Sequence, residues 1–559
     1  MESHLPPPGK PIELTSERLH HLICSNDVPL PQEIPFIEEI LGIQRNGVAR
    51  LQTQLSLLPN NVDRDHLESG LQAAESKAKK YAAILSILRW LPAELICEIM
   101  ARTLPHTKAI GSHTTVLQAP WWLGHICRRW RAIALGYLPL WSSFGLCASY
   151  IQVQMDRISS PTAEKMQLRL TGSETPLDVT LMWQRFDANA PSESLDLLLM
   201  QSARWRSLRL NMYRNSPEDV IIPLLYGIKG RLPLLRTLEC TSSSQRQPAS
   251  AFGDLFANLP NLREVYFADA EAEDIDDSLH PSINLPWQQI THFRGRYRAL
   301  HDGFTILRAA PNLVECGLTI DKWNAEPDTA FELLAPQQIE LFHLCRLSTQ
   351  CKPPNFLQTL TVPALQELWI TFPEAASLLS CIERSAAYQL VTLVVYQCAG
   401  DVAPTLVPIL HVLPALHTFF LEFPDGRDAT GNIFDALTIK NPSLDSSSTV
   451  HHNYDNINSI CPALSRIAVG DLTASHITAF LDMIQSRIFF SAHPTPTPSN
   501  TNPIQKLTFV RSYSSLYKYA WPEDAILRVE RMYEEGLDIR LDSGFRPVYE
   551  AGYMRRGRP

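Results

Sequence analysis

A short apolar pattern that recurs through much of the chain constrains its fold more than any other feature. In each copy two apolar residues stand three positions apart, and a third follows after one further residue, as in Leu235-x-x-Leu238-x-Cys240. Such copies begin at residues 235, 262, 313, 365, 390, 416 and 464, and weaker copies begin at residues 205, 290, 339 and 504. Because residues two positions apart lie on the same face of a β-strand, each copy predicts a short strand with one buried face.

The spacing of these copies indicates a repeat protein. From residue 205 to residue 416 they follow one another about 26 residues apart, a length typical of stacked strand-and-helix units. Helix-compatible segments lie between the strands, at 251–259, 304–309, 374–384 and 475–487. Prolines just before several strands are expected to end those helices. The pattern resembles the leucine-rich repeat, which implies an α/β fold with an irregular solenoid over residues 165–545.

The repeats depart from the regular pattern in several places. The asparagine or cysteine expected three residues after the last strand position is present only as Cys398, so we expect uneven curvature. The interval between Leu416 and Leu464 is long and polar, which predicts a repeat that is hidden or looped out. Residues 491–503 have the composition of a flexible loop. Residues 546–559 are expected to form a basic tail.

Residues 33–89 are predicted to form an antiparallel helical hairpin. Apolar residues recur at steps of three, four and seven between Ile37 and Leu58, and again between Leu67 and Leu88. The second segment has the heptad spacing of a coiled coil. Two uses of this seam remain open: the segments pair within one chain, or the seam mediates self-association.

Three short motifs follow in order between residues 91 and 141. The first, Leu91-Pro-Ala-Glu-Leu95, has a proline and an acidic residue in the first turn, and both favour a helix start. The second is Ile126-Cys-Arg-Arg-Trp130, and the third is Leu140-Trp141. Together they resemble the F-box, which we assign to residues 90–145. The chain as a whole is similar to the large F-box group of mushroom-forming fungi.

The F-box resemblance implies a three-helix module that binds a Skp-type adaptor, which connects to the cullin scaffold of a ubiquitin ligase. The chain would then catalyse no reaction and would hold a protein substrate near a separate enzyme. The resemblance assigns a set of residues to the adaptor interface. Some of them are expected to belong to the core of the module instead, Trp130 in particular. The residues carried over are Leu91, Pro92, Leu95, Ile96, Ile99, Ile126, Trp130, Leu140 and Trp141.

One departure from the compact F-box leaves two functions open. Residues 102–119 lengthen the link between the first helix and the later ones. Either this link is a surface loop that the module tolerates, or it alters the affinity for the adaptor. In the second case the chain is a repeat scaffold whose F-box no longer engages a ligase.

The sheet of the predicted solenoid offers a candidate substrate surface. In a leucine-rich repeat, the residue between the last two inward-facing apolar positions faces out along the sheet. Here those positions include Tyr266, Trp369, Val394 and Phe420. Aromatic residues often anchor partners, so we expect a substrate to bind there. The alternative is that flanking loops or the C-terminal segment cover these side chains.

Composition narrows the class of protein. With 559 residues, 45% hydrophobic content and a net charge of -9, the chain predicts a folded protein that binds neither nucleic acid nor anionic membrane. No signal segment or long apolar run is present, and the 11 cysteines are scattered without a Cys-x-x-Cys pair. Both features favour an intracellular location, cytoplasmic, nuclear or both. Residues 1–32 are predicted to be disordered.

Enzyme signatures are absent from the sequence. It contains no phosphate-binding loop, no nucleophile elbow and no His-Glu-x-x-His helix. The histidine pairs at 20–21 and 451–452 lack cysteine ligands at metal-site spacing. We therefore expect no catalytic residues, no metal ion and no cofactor.

Overall fold

The computed structural model divides the chain into two compact units. One unit comprises Met1–Met182 with Asp187–Leu198, and the other comprises Trp183–Phe186 with Leu199–Pro559. Helices and a large parallel sheet make the fold α/β, which confirms the predicted class. The residues that the structure describes are 15–57, 64–104, 120–148, 161–183, 192–212, 223–242, 252–269, 284–297, 300–320, 338–351, 355–371, 375–396, 403–422, 431–439, 460–470, 474–492, 504–510 and 522–542.

The first unit is mainly helical. Its first helices are α1 (Ser16–Cys24), α2 (Ile34–Leu57), α3 (Arg64–Ile84), α4 (Ala93–Thr103) and α5 (Arg128–Gly136). Two further helices, Pro161–Leu170 and Ser192–Met200, follow in the chain. Strands β1 (Ser143–Ala148) and β2 (Leu177–Trp183) are hydrogen-bonded neighbours.

Helices α2 and α3 pack against each other in antiparallel fashion. The start of α2 meets the end of α3, where Ile37 and Ile84 are buried in one apolar cluster. Further along, Gln52 Nε2 donates to Glu75 Oε1 at 3.4 Å. The seam is fully buried only near the first of these contacts, while residues such as Leu51 remain half-buried.

Helix α1 corrects the expectation that residues 1–32 are disordered. Its residue Leu22 is fully buried against Ile37 and Ile84. Arg18 Nε also donates to the Glu33 carboxylate at 2.9 Å. Apolar burial and this ion pair order a segment whose proline content suggested disorder. Residues 1–14 lie outside the described part of the chain.

The second unit is built on a parallel sheet. Neighbouring strands follow one another along the chain, so each connection leads to the adjacent position in the sheet. The strands, in sheet order, are β3 (Trp205–Met212), β4 (Thr237–Ser242), β5 (Glu264–Asp269), β6 (His292–Tyr297), β7 (Glu315–Ile320), β9 (Arg346–Cys351), β11 (Glu367–Thr371), β12 (Thr392–Tyr396), β13 (Thr418–Glu422), β14 (Arg466–Gly470), β15 (Lys506–Val510) and β16 (Asp538–Asp542). A separate parallel pair is formed by β8 (Ile339–Glu340) and β10 (Leu360–Thr361).

The central apolar position of the repeated pattern forms one buried row across this sheet. Its members stand in register from strand to strand, and burial of each stabilises the fold by roughly 1.5–3 kcal/mol. The row comprises Leu208, Leu238, Val265, Phe293, Cys316, Leu347, Leu368, Leu393, Phe419, Ile467 and Leu507.

A tight turn precedes many of these strands and explains the prolines. The Leu262 amide donates to Leu259 O at 3.3 Å, and the Leu416 amide donates to Leu413 O at 3.2 Å. Proline at the second position of such a turn has its φ already set. Asn261 adds a link between repeats, since its side-chain amide donates to Pro233 O at 2.7 Å.

Two details of the predicted repeats are corrected. The copy at Ile339 is wrong, because its Phe342 is exposed and the strand of the main sheet is β9, whose Leu347 enters the buried row. In the long interval after Leu416, β13 pairs directly with β14, which agrees with the looped-out alternative and leaves no strand between them in the sheet. Helix Ala474–Ala492 also extends into the predicted loop 491–503. Cys398 and the tail 546–559 lie outside the described residues.

Helices connect many of the successive strands, and neighbouring helices pack against one another. They include Leu300–Ala309, Asn355–Gln358, Ala375–Ser385, Ala403–His411, Gly431–Leu437, Ala474–Ala492 and Glu523–Glu534. Arg384 Nη2 donates to Leu357 O at 2.8 Å. Buried Arg487 donates through Nε to Leu437 O, at the end of helix Gly431–Leu437, at 3.0 Å. The guanidinium groups thereby satisfy carbonyls that helix ends leave without an intrahelical donor.

Candidate functional site

The segment that carries the F-box resemblance forms a small helical module, residues 91–141. Helix α4 begins after Pro92, with Glu94 in its first turn. A short 3-10 helix (Trp121–His125) leads into α5, and a second one (Leu138–Trp141) closes the module. The predicted link was 102–119: Arg102 and Thr103 belong to α4, and residues 105–119 lie outside the described part of the chain.

One apolar core holds the 91–141 module together. Ile96 and Met100 from α4 meet Leu123, Ala134, Leu140 and Trp141 in that core. Trp141 Nε1 donates to Ala134 O at 2.7 Å, so its polar edge is satisfied. The ring of Trp121 meets that of Trp141 edge-on, with centroids 5.0 Å apart.

The structure divides the predicted adaptor-binding residues into two groups. Ile96, Leu140 and Trp141 are buried in the core, so they are not available to a partner in the folded module. Leu91 and Trp130 are half-buried and pack against that core. These buried and half-buried side chains form the core of the module. The F-box-like motifs therefore contain core residues as well as surface residues.

The second group is exposed and apolar. Leu95 and Ile99 stand one turn apart on α4, with 51% and 37% of their surface exposed. Pro92 is exposed at the start of that helix, and Ile126, which stands two residues before α5, is 49% exposed. Large apolar side chains clustered on a surface are typical of sites that bind another protein.

Sequence reasoning missed further exposed apolar residues beside this module. Leu88 and Trp90 precede α4, and Trp122 lies in the first 3-10 helix. The adjacent pair Trp121-Trp122 could have indicated such a residue, because two consecutive helical residues cannot both face the core. Trp121 packs on the core, while its neighbour is exposed.

Two arginines join the N-terminal helices to the 91–141 module. Arg89 is buried, and its Nη1 donates to Leu22 O at 2.8 Å and to Asp27 O at 3.1 Å. Arg129 donates to Arg89 O at 2.6 Å and to Leu91 O at 2.5 Å. Burial lowers the pKa of Arg89, yet an arginine remains charged at neutral pH. The helices α1–α3 are therefore fixed relative to α4.

The predicted substrate residues lie on the sheet face opposite the buried row, and two of them are not exposed. Val394 and Phe420 are buried in a second apolar cluster with Tyr396. The Tyr396 ring lies 5.1 Å from that of Phe420 and 6.3 Å from that of half-buried Trp369. Large side chains on adjacent strands pack against one another here, and the expectation of exposed anchors is wrong for Val394 and Phe420.

Tyr266, the fourth predicted residue, borders a charged part of the same sheet face. The guanidinium of Arg294 lies 6.0 Å from the centre of its ring. Arg294 also reaches Glu315 Oε1 at 2.5 Å, and Arg346 reaches Glu315 Oε2 at the same distance. Gly317 makes room for this arrangement, because a Cβ atom there would stand 2.9 Å from Arg294 Cγ.

The two guanidinium groups set the charge state of Glu315. Burial by itself raises the pKa of this carboxyl, but the charges and hydrogen bonds of Arg294 and Arg346 outweigh it and hold the pKa below its ordinary value. A folded-state pKa below that of the unfolded chain means that the carboxylate stabilises the fold above about pH 4.3. That stabilisation is lost as the pH falls through the folded-state pKa.

Replacement of Glu315 tests this ion-pair network. We expect Glu315→Gln to lower the free energy of unfolding by about 2 kcal/mol at pH 7, since hydrogen bonds to charged groups are lost. The difference from the wild type should be smaller at pH 3, because the stabilisation decreases as the pH falls through the lowered folded-state pKa of Glu315. Urea unfolding at both pH values measures this. Glu383→Gln on an exposed helix surface is the control, and an equal loss at both pH values would contradict the interpretation.

The buried thiols are poorly suited to chemistry. Burial raises the pKa of Cys461 to about 12 and also raises the pKa of Cys240. A thiol that stays protonated is a weak nucleophile. Within the described ranges, no group of three or more His, Cys, Asp or Glu side chains is arranged to hold a metal ion. The same part of the chain contains no helix long and apolar enough to cross a membrane.

In comparisons with known proteins, no protein-family model matches the chain, and no curated protein matches it.

Proposed function

We propose that this chain is a non-catalytic substrate adaptor of a cullin-type ubiquitin ligase, docking through its F-box-like 91–141 module onto a Skp-type adaptor. The observation that carries the proposal is the exposed apolar face of α4. Leu95 and Ile99 remain exposed, although Ile96 and Met100 on the same helix are completely buried. The module therefore has a finished core and a separate apolar face.

Burial of the exposed apolar side chains of the module would contribute to the affinity for a partner, on α4 and just before α5. Burying an aliphatic side chain stabilises an interface by roughly 1.5–3 kcal/mol relative to leaving it exposed. Leu95, Ile99 and Ile126 each offer such a side chain. A few well-packed residues of this kind dominate the affinity of many interfaces.

The substrate role is assigned to the sheet unit, on the face opposite the buried row. With Val394 and Phe420 buried, the proposed contact area moves to the strands that carry Tyr266, Arg294 and Arg346. These side chains offer an aromatic ring and guanidinium groups, which are frequent in protein interfaces. The substrate is thus proposed to be a protein held by polar and aromatic contacts.

Adaptor binding by the full chain tests the proposal. We expect the wild type to bind purified Skp-type adaptor in a calorimetric titration. The double variant Leu95→Asp with Ile99→Asp should lose at least about 100-fold in affinity, because two carboxylates would be buried against apolar surface. Circular dichroism verifies that the variant stays folded.

A matched control uses the same change elsewhere. Ile526 and Leu527 are exposed apolar neighbours on helix Glu523–Glu534. Ile526→Asp with Leu527→Asp should leave adaptor affinity within about twofold of the wild type. Absence of binding by the folded wild type would overturn the proposal and favour a repeat scaffold that no longer engages a ligase.

A further inference from the structure

Helix α2 carries a second apolar stripe beside the one that packs on α3. Ile37 faces the hairpin and is buried, whereas Phe36 and Ile43 are 42% and 60% exposed. With 3.6 residues per turn, Phe36, Ile40, Ile43 and Gly47 lie on one side of the helix. We name these four residues the outer stripe. A helix that served only the hairpin would need a single apolar stripe.

Charged residues flank the outer stripe in a self-complementary way. Glu39 and Arg50 are both exposed and stand eleven residues, or about three turns, apart, so they lie on nearly the same side of α2. One charge lies toward each end of the helix. If two copies of α2 pack antiparallel about a two-fold axis, Glu39 of each copy lies opposite Arg50 of the partner subunit, and this ion pair occurs twice.

The same register fits the shape of the outer stripe. The two-fold axis passes midway between Glu39 and Arg50, next to Ile43 and Gly47. No atom lies within 4 Å of the position where Gly47 would carry a Cβ atom, so the helix surface is open there. Ile43, the most exposed member of the stripe, then finds space against the glycine of the partner subunit.

We propose that the chain forms a symmetric dimer through the outer stripes of two α2 helices. Because Arg89 and Arg129 fix α1–α3 to the start of α4, each copy in such a dimer presents its own 91–141 module. The dimer depends on α2 alone and stands apart from the proposed ligase function.

Sedimentation equilibrium of the full chain across a concentration series tests the dimer. We expect the mass to rise from the monomer value of 63.0 kDa toward twice that value. Ile43→Asp should remain monomeric. Glu39→Arg alone should weaken the dimer at least about tenfold, and so should Arg50→Glu alone, because each places like charges opposite each other. The double variant Glu39→Arg with Arg50→Glu should restore it.

Two controls separate the alternatives. Arg45 is exposed on another side of α2, so Arg45→Glu should leave the dimer unchanged. Ile43→Asp should bind the Skp-type adaptor as tightly as the wild type, which keeps this proposal distinct from the docking proposal. A wild type that stays at 63.0 kDa at every concentration would overturn the dimer, and so would failure of the double charge reversal to restore it.

Discussion

Replacing Arg487 by methionine should destabilise the sheet unit more than any surface change. The guanidinium donates to Leu437 O at 3.0 Å, Cys461 O at 3.1 Å and Ile460 O at 2.6 Å, and the side chain is almost completely buried. Burial lowers its pKa, but the group stays charged and keeps its donors. Methionine would leave these buried carbonyl groups without this donor.

The expected loss in the free energy of unfolding for Arg487→Met is about 4 kcal/mol, since each unsatisfied buried group costs about 1–3 kcal/mol. Urea unfolding followed by circular dichroism measures it. Hydrogen exchange should show faster opening first in residues 431–439 and 460–470, because repeat units contact mainly their neighbours.

The matched control for this prediction is Arg528→Met. Arg528 makes a similar number of hydrogen bonds, at 2.6 Å to both Asp482 and Gln485, but the carboxylate of Asp482 is exposed to water. Exposed ion pairs contribute about 1 kcal/mol or less. Equal effects of the two replacements would mean that burial of Arg487 does not determine its contribution.

The second large effect is expected for Trp141→Ala in the core of the 91–141 module. This change removes a buried indole, its contact with Trp121 and its hydrogen bond to Ala134 O. Comparable replacements cost about 3–5 kcal/mol. We therefore expect the module to unfold and adaptor binding to be lost, while the sheet unit keeps its structure.

This outcome differs from that of the surface variants. Trp141→Ala should lose helical signal together with binding, whereas Leu95→Asp with Ile99→Asp should lose binding alone. Trp141→Phe keeps an aromatic ring and should cost only about 1–2 kcal/mol. Retention of adaptor binding by a folded Trp141→Ala variant would contradict the assignment of Trp141 to the core.

Local periodicity made the sheet predictable from sequence. Most strands of the buried row place apolar residues two positions apart, and that spacing is visible within six residues, as at Leu365, Leu368 and Ile370. Strand β9 is an exception, because Thr349 follows Leu347 at that spacing. The copy at Ile339 failed because Phe342 satisfies the same spacing while lying on the surface. Periodicity identifies candidate strands, and only packing between neighbours selects among overlapping ones.

The division of the 91–141 module into core and surface was less predictable. Leu95, Ile96 and Ile99 are all apolar, so composition does not tell which of them faces Leu123 and Trp141. Those partners lie beyond the 102–119 link, so no local spacing relates them to α4. The residue type alone therefore did not separate buried Ile96 from exposed Leu95 and Ile99.

Long-range polar contacts left no local signal. Arg89 and Arg487 stand in apolar helical surroundings, and their acceptors are backbone carbonyls such as Leu22 O and Leu437 O, far away in the chain. Any residue type supplies a carbonyl, so no side-chain motif marks these pairs. Phe420 likewise packs against Val394 and Tyr396 of the neighbouring strand β12, a contact that the sequence around Phe420 does not show.

Hydrogen exchange of the full chain with and without purified Skp-type adaptor tests the central claim most directly. The proposal predicts added protection concentrated in peptides covering 88–103 and 121–130, which contain Leu95, Ile99 and Ile126. Peptides from the sheet unit, such as 375–396, should exchange as before. Protection confined to the sheet unit, or none at saturating adaptor, would contradict docking through the 91–141 module.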